Sequence, residues 1–343
     1  MQISWLTKTD SNNSASYRMR VLIPAIKLQE YGLVSKIFKK KIPISIKSDF
    51  IVLSKYYDEK VLQNILSHIE KHNTKVILDI CDNQFSNTGT PNSLREKARN
   101  QIDLLLKYIH CITVPSVELK RIFIETFNYP QEKVFIVEDC IDSPEKFTQV
   151  FHPNYFFSNL IFLFFKNRIN KYPQKNRFIW FGAAGKHGGL GIDALINNVN
   201  TINKAITSIE GSTLTIVSNS YNKYSTFKKL ANFKTFYIPW DNSTAQKILR
   251  MHNILLLPSA INNMTLGKSA NRLITALSNG LVVVGDMLPS YSIFSDYIQH
   301  PFNYENIILA HQKTENLQRP IKSILFNFEE SILLEWTKIF KTL

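Results

Sequence analysis

The sequence predicts an α/β protein built from two Rossmann-like, doubly wound domains, and three observations carry that expectation. Short apolar runs alternate with helix-period segments along nearly the whole chain. Several of those runs, such as Leu281-Val282-Val283-Val284, are apolar without interruption, as strands buried on both faces of a parallel sheet require. A length of 343 residues exceeds one ordinary core and suits two.

The elements follow in order. Strands are expected at Ile3–Leu6, Phe50–Leu53, Lys75–Ile80, Cys111–Val114 and Lys133–Val137, separated by helices over about Ser16–Tyr31, Glu59–His72, Leu94–Lys107 and a Ser116-capped helix to Phe127. The pattern restarts with strand Arg177–Phe181, a helix from about Gly191, strands Thr213–Val217 and Thr235–Ile238, helix Thr244–Met251, and strand Ile254–Leu257. Glu329–Phe340 reads as an amphipathic helix with Ile332, Leu333, Trp336 and Phe340 on one side. The expected bounds are 1–142 and 177–325 for the two domains, 143–176 for an aromatic and basic segment between them, and 326–343 for the closing helix.

Composition narrows the partners. Lys plus Arg outnumber Asp plus Glu by 41 to 27, a formal charge of +14 that favours an anionic partner, although a chain rich in Lys, Asn and Ile can be basic without one. Nucleic acid is disfavoured, because neither a basic recognition helix nor an aromatic-basic sheet face stands out. Cys81, Cys111 and Cys140 form no CxxC pair and are expected as reduced core thiols. No signal peptide and no apolar run of about 20 residues is recognised, so a cytoplasmic chain is expected. The run Tyr155–Phe165, followed by Lys166, Arg168, Lys171 and Lys175, suits either packing in the seam between domains or an interfacial helix that makes the protein peripheral at an anionic membrane surface.

Ligands of open parallel sheets sit beyond the carboxyl ends of the strands, so the chemistry is sought in the loops that follow them. In Leu266–Tyr291 a basic turn precedes a helix, a Gly280 turn and the buried strand, and Lys268 and Arg272, four apart, are expected on one face of the helix start, suited to a phosphate. The loop Gly182–Gly189 opens a helix; Gly182 and Gly185 let backbone N–H groups approach a phosphate, and Lys186 or His187 adds charge. Trp240 is placed to stack on a nucleobase or to pack at a helix start, with Asp241 or Ser243 as cap. Asp82 and Asp10 are the candidate bases, each with a turn or cap role as the alternative. Arg18 and Arg20, which open the first helix, suit an anionic or polyhydroxylated acceptor or a solvated helix face. No DxD carboxylate pair occurs, which disfavours metal-dependent transfer, and a GxSxG elbow is absent.

In this order the segments resemble the GT-B glycosyltransferases, nearest to the bacterial enzymes that build capsule, O-antigen and other surface polysaccharides. The likeness rests on the Gly-rich loop, Pro239-Trp240-Asp241, Leu255–Ser259 and Lys268–Val284, with Ser16–Arg20, Asp79–Asp82, Thr113–Ser116 and Ile141-Asp142 in the first half, and it covers nearly the whole chain. It implies two domains facing a cleft, a nucleotide-sugar donor in the second, a saccharide or lipid-linked acceptor in the first, and a last helix that crosses back to the first. It also places the donor diphosphate on Lys268, Asn271 and Arg272 and the base near Trp240, with the nucleotide sugar a substrate and no cofactor. Many retaining members keep two glutamates eight residues apart where this chain has Gly267 and Thr275. That departure keeps a second reading open, a catalytically silent GT-B-like module that binds a glycan or a partner.

Overall fold

The computed structural model describes residues 1–86, 91–142, 153–185, 190–314 and 321–343. Two compact units emerge, one made of Met1–Asp142, Asn262–Asn271 and Phe326–Leu343, the other of Ser143–Ile261 and Arg272–Leu325. The first unit thus takes in Asn262–Asn271, which the sequence reading assigned to the second domain.

In the first unit the strands are β1 (Gln2–Thr7), β2 (Val34–Lys39), β3 (Phe50–Ser54), β4 (Lys75–Asp79), β5 (Cys111–Val114) and β6 (Val134–Ile136). They form a parallel sheet in the order β2-β1-β3-β4-β5-β6. The winding reverses between β1 and β3, so the loops after these two strands border the crevice where such sheets take ligands. Asp58 caps the Glu59–His72 helix by accepting from Lys60 N–H, and Ser116 caps Val117–Phe127 by accepting from Leu119 N–H at 3.1 Å. Each cap is worth about 1 kcal/mol.

The Ile321–Thr342 helix brings its C-terminal part into the first unit. Trp336 meets Trp5 edge-on at 5.0 Å, Phe340 meets Phe50 at 5.1 Å, and Lys27 pairs with Glu329. Both tryptophans are buried.

The second unit contains β7 (Arg177–Phe181), β8 (Thr213–Ser218), β9 (Lys234–Pro239), β10 (Ile254–Leu257), β11 (Val282–Gly285) and β12 (Ile298–Gln299), in the order β12-β11-β10-β7-β8-β9 and parallel throughout. Its reversal lies between β7 and β10. His252 anchors this core: its ring nitrogens engage the Ile248 carbonyl at 2.7 Å and the Thr215 hydroxyl at 2.8 Å, Phe165 stacks on it, and burial pushes its pKa down to about 3.

Departures from the sequence reading have local causes. Residues 15–31 form successive short α, π, α and 3-10 turns rather than one helix, ending at Gly32 with φ 75°. Pro24 has no N–H to donate to the Arg20 carbonyl, so the helix widens just before it. The edge strand β2 and the helices Tyr221–Leu230 and Tyr304–Lys313 were not anticipated.

Candidate functional site

At the carboxyl edge of the first unit's sheet, charge is paired and mostly buried. Arg20 and Asp79 face each other with 1% and 0% side-chain exposure; the Asp79 carboxylate also accepts from Ser54 Oγ and Thr113 Oγ1, both at 2.8 Å. Arg20 further reaches Asp139 at 3.5 Å and donates to the Val137 carbonyl. Burial opposes its charge, but Asp79 and Asp139 outweigh this and raise its pKa. Arg18 makes the same inward turn, with Nη2 at 2.6 Å from Asp142 and 1% exposure. Arg18 and Arg20, expected at an acceptor, therefore spend their guanidinium groups on carboxylates inside the unit, because those partners lie 124 and 59 residues away and were invisible to a local reading.

Asp82, just beyond β4, lies in a different setting. Its carboxylate takes Lys55 Nζ at 2.5 Å, and both side chains remain about a third exposed, at 28% and 34%. Burial alone would raise the Asp82 pKa, but Lys55 and Lys268 hold it below the ordinary carboxylate value. Beside it burial pushes the Cys81 thiol up to about 12, so this cysteine is a neutral neighbour and not a nucleophile. Asp10 sits in the loop after β1 as half of an exposed pair with Lys39 at 2.7 Å.

The Asn262–Asn271 segment is tied to the same edge. Asn83 Nδ2 donates to the Asn263 carbonyl at 3.2 Å, Ser116 Oγ to the Gly267 carbonyl at 3.0 Å, and Ser269 Oγ and Asn271 Nδ2 to Asp139 at 2.5 and 3.2 Å. Asp139 was missed in the sequence; only its position just after β6 could have pointed to it.

Lys268 and Arg272 do not share a helical face. The helix begins at Asn271, and Lys268 lies in the preceding turn with its N–H on the Thr265 carbonyl. Lys268 thus acts on Asp82 in the first unit, whereas Arg272 belongs to the second.

In the second unit the loop after β7 is shaped by missing side chains. Gly182 has φ 153°, and a Cβ there would sit 3.4 Å from Arg272 Nη1, so this guanidinium lies against the glycine backbone. Gly185 and Gly191, with φ 79° and 67°, form the neck: a Cβ on either would come within 2.3 Å of a carbonyl oxygen, that of Leu190 or Ala184. Asn219 Oδ1 holds Ala184 N–H at 2.8 Å. Lys186 and His187 lie outside the described residues. Trp240 stacks on Phe181 at 6.2 Å and remains partly exposed, while Asp241 caps the Asn242–Leu249 helix through Ser243 N–H at 2.9 Å. The hydroxyls of Ser259 and Ser290, which follow β10 and β11, are buried without a hydrogen-bond partner. Arg272 also acts on buried Tyr291, whose pKa is raised mainly by burial. Together these residues offer a cation, a close-approach backbone and an aromatic ring at one sheet edge, the elements an aryl-bearing phosphate ester needs.

No protein-family model matches the chain, and no curated protein matches it in sequence. Solved structures do match it in fold. A glycosyltransferase from Rickettsia africae superposes with a TM-score of 0.59 at 11% identity, covering 99% of this chain and 98% of its own. WaaG, a glycosyltransferase involved in lipopolysaccharide biosynthesis, gives 0.53 at 12% identity, with 99% and 95% covered. A UDP-GlcNAc 2-epimerase from Neisseria meningitidis bound to UDP-GlcNAc gives 0.51 at 14%, with 98% and 100% covered. Against TarM the TM-score is 0.55 at 12% identity, and the chain, 93% covered, spans 57% of TarM's length. Two parallel six-stranded Rossmann-like units and these neighbours give this chain the fold of the GT-B glycosyltransferases.

Proposed function

We propose that this protein is a metal-independent glycosyltransferase that moves a sugar from a nucleotide-sugar donor to a saccharide or lipid-linked acceptor in the synthesis of a bacterial surface polysaccharide. The observation that carries the reading is the guanidinium of Arg272 lying against Gly182 in the loop after β7, on the side of the sheet where the winding reverses. Arginine beside an open backbone matches a diphosphate, and its charge offsets the charge that develops on the leaving phosphate. Trp240 is the proposed platform for the base, and Ser259 and Ser290 supply hydroxyls to the same edge.

Asp82 is the proposed base. The acceptor oxygen bonds to the anomeric carbon, the bond from that carbon to the diphosphate oxygen breaks with its electron pair, and the hydroxyl proton passes to the carboxylate. Transfer by this route inverts the anomeric centre. Lys55 and Lys268 keep Asp82 ionised, which preserves its accepting form but weakens it as a base. Asp10 is the weaker candidate, since its exposed pair with Lys39 provides no enclosed setting.

A thermal-shift series over nucleoside diphosphates tests the donor site. One of them is expected to stabilise the protein, with the shift abolished in Arg272→Ala. Asp82→Asn should keep that shift and lose about 100-fold or more in transfer. If no nucleoside diphosphate stabilises the chain, the catalytically silent glycan- or partner-binding module becomes the better reading, one that Gly267 and Thr275 keep open because many retaining members of the resembled family have glutamates there.

A further inference from the structure

The Pro153–Ile169 helix belongs to the second unit and has two apolar faces, of which the core uses one. Phe165 and Ile169 are buried, and Phe165 packs on Phe236 and His252. Phe156, Phe157, Leu160, Ile161, Leu163 and Phe164 are exposed, Phe164 to 71%. At about 100° per residue these six fall within one arc of roughly 160°, opposite the anchoring pair. Their side chains end only in carbon, so the arc offers a partner no hydrogen bond.

Its flanking sequence is one-signed. Between Glu145 and Asp193 the sequence has no carboxylate, and the exposed Lys166, Arg168, Lys171 and Lys175 close the helix. Lys247 lies over the Phe162 ring of the same helix, and Lys234 joins Arg168 over Phe236. Among the described residues no helix is long and apolar enough to cross a membrane.

We infer that this helix seats the protein on an anionic lipid surface, with Phe156, Phe157, Leu160, Ile161, Leu163 and Phe164 dipping among the acyl chains and the flanking lysines and Arg168 meeting lipid phosphates. An apolar stripe over 156–164, closed on the same arc by exposed Asn167 and Arg168, is complementary to a bilayer interface, whose outer layer is anionic and whose next layer is hydrocarbon. Within their own unit these six side chains lie outside the core. The inference is independent of the sugar-transfer reading, since lipid binding requires no nucleotide.

Flotation of the full-length protein tests it, using phosphatidylcholine vesicles with and without phosphatidylglycerol. The protein is expected to float with the anionic vesicles and much less with the neutral ones. Phe157→Ser combined with Phe164→Ser should weaken binding at least about tenfold. Lys171→Glu with Lys175→Glu should weaken it only on anionic vesicles. Both exchanges alter exposed positions, so an unchanged melting temperature separates lost binding from lost folding. Failure of the wild type to float, or unchanged flotation of the phenylalanine variant, overturns the proposal. So does a wild-type dimer that ignores vesicles and is broken by the phenylalanine variant, which would make the face a contact between copies.

Discussion

The two units build the same kind of sheet and finish its carboxyl edge in opposite ways. In the first, the edge is filled with charge answered by charge: Arg20 with Asp79 and Asp139, Arg18 with Asp142, Lys55 with Asp82. In the second, the corresponding edge is made of glycine backbone, one arginine against it and a stacked tryptophan. Buried pairs fix geometry at a desolvation cost, whereas backbone without side chains leaves space for a ligand's own atoms. The first edge is therefore proposed as a frame in which Asp82 stays partly exposed, and the second as a receptacle for an anion.

Asp79→Ala should break the contrast most severely. It leaves Arg20 buried beside only the more distant Asp139, and a loss of about 3–5 kcal/mol in urea unfolding is expected. Retention of near wild-type stability would mean that the first edge is not a frame. Gly191→Ala comes next: the new Cβ would meet the Ala184 carbonyl in a left-handed backbone, and a cost of about 1–3 kcal/mol with loss of any nucleotide-induced shift is expected.

Acid should separate the units in sign. His252 in the second unit has its pKa lowered to about 3, so its contribution is present above the unfolded value near 6.5 and is lost as pH falls toward 3. Glu138 in the first unit is pushed up to about 7 by burial and by Asp139, against the opposing pull of Arg20. Its contribution is full below the ordinary 4.5 and is lost as pH rises through about 7. Glu138→Gln should flatten the stability profile between these values in denaturant titrations, and an unchanged profile would remove Glu138 from the account. Smallest of all, Arg272→Ala should move stability by no more than about 0.5 kcal/mol while abolishing nucleotide protection, because it changes the receptacle and not the core.

The sheets were legible in sequence for a physical reason. Strands buried on both faces are apolar at most positions, so Cys111–Val114, Arg177–Phe181 and Ile254–Leu257 could be bounded to the residue. The edge strand β2, Val34–Lys39, has no buried residue and carries two lysines, and the Tyr221–Leu230 helix buries only Tyr224 and Phe227, so neither gave a strong period. At the candidate site the glycine loop and Trp240 were visible because they depend on backbone and on one local stack. The destinations of Arg18, Arg20 and Lys268 were not, since each is set by carboxylates distant in sequence. The four-residue spacing of Lys268 and Arg272 misled for a simpler reason: a helix that starts at Asn271 cannot place Lys268 on its face.

Neither unit is a continuous stretch of chain. The backbone passes from the first to the second after Asp142, returns at Asn262, leaves again after Asn271 and returns for good at Phe326. A single genetic crossover near the middle of the gene would deliver a first unit whose Asp139 has lost Ser269 and Asn271 and whose Trp5 has lost Trp336. The second unit therefore cannot be exchanged as one cassette; its two stretches, Ser143–Ile261 and Arg272–Leu325, have to be replaced together.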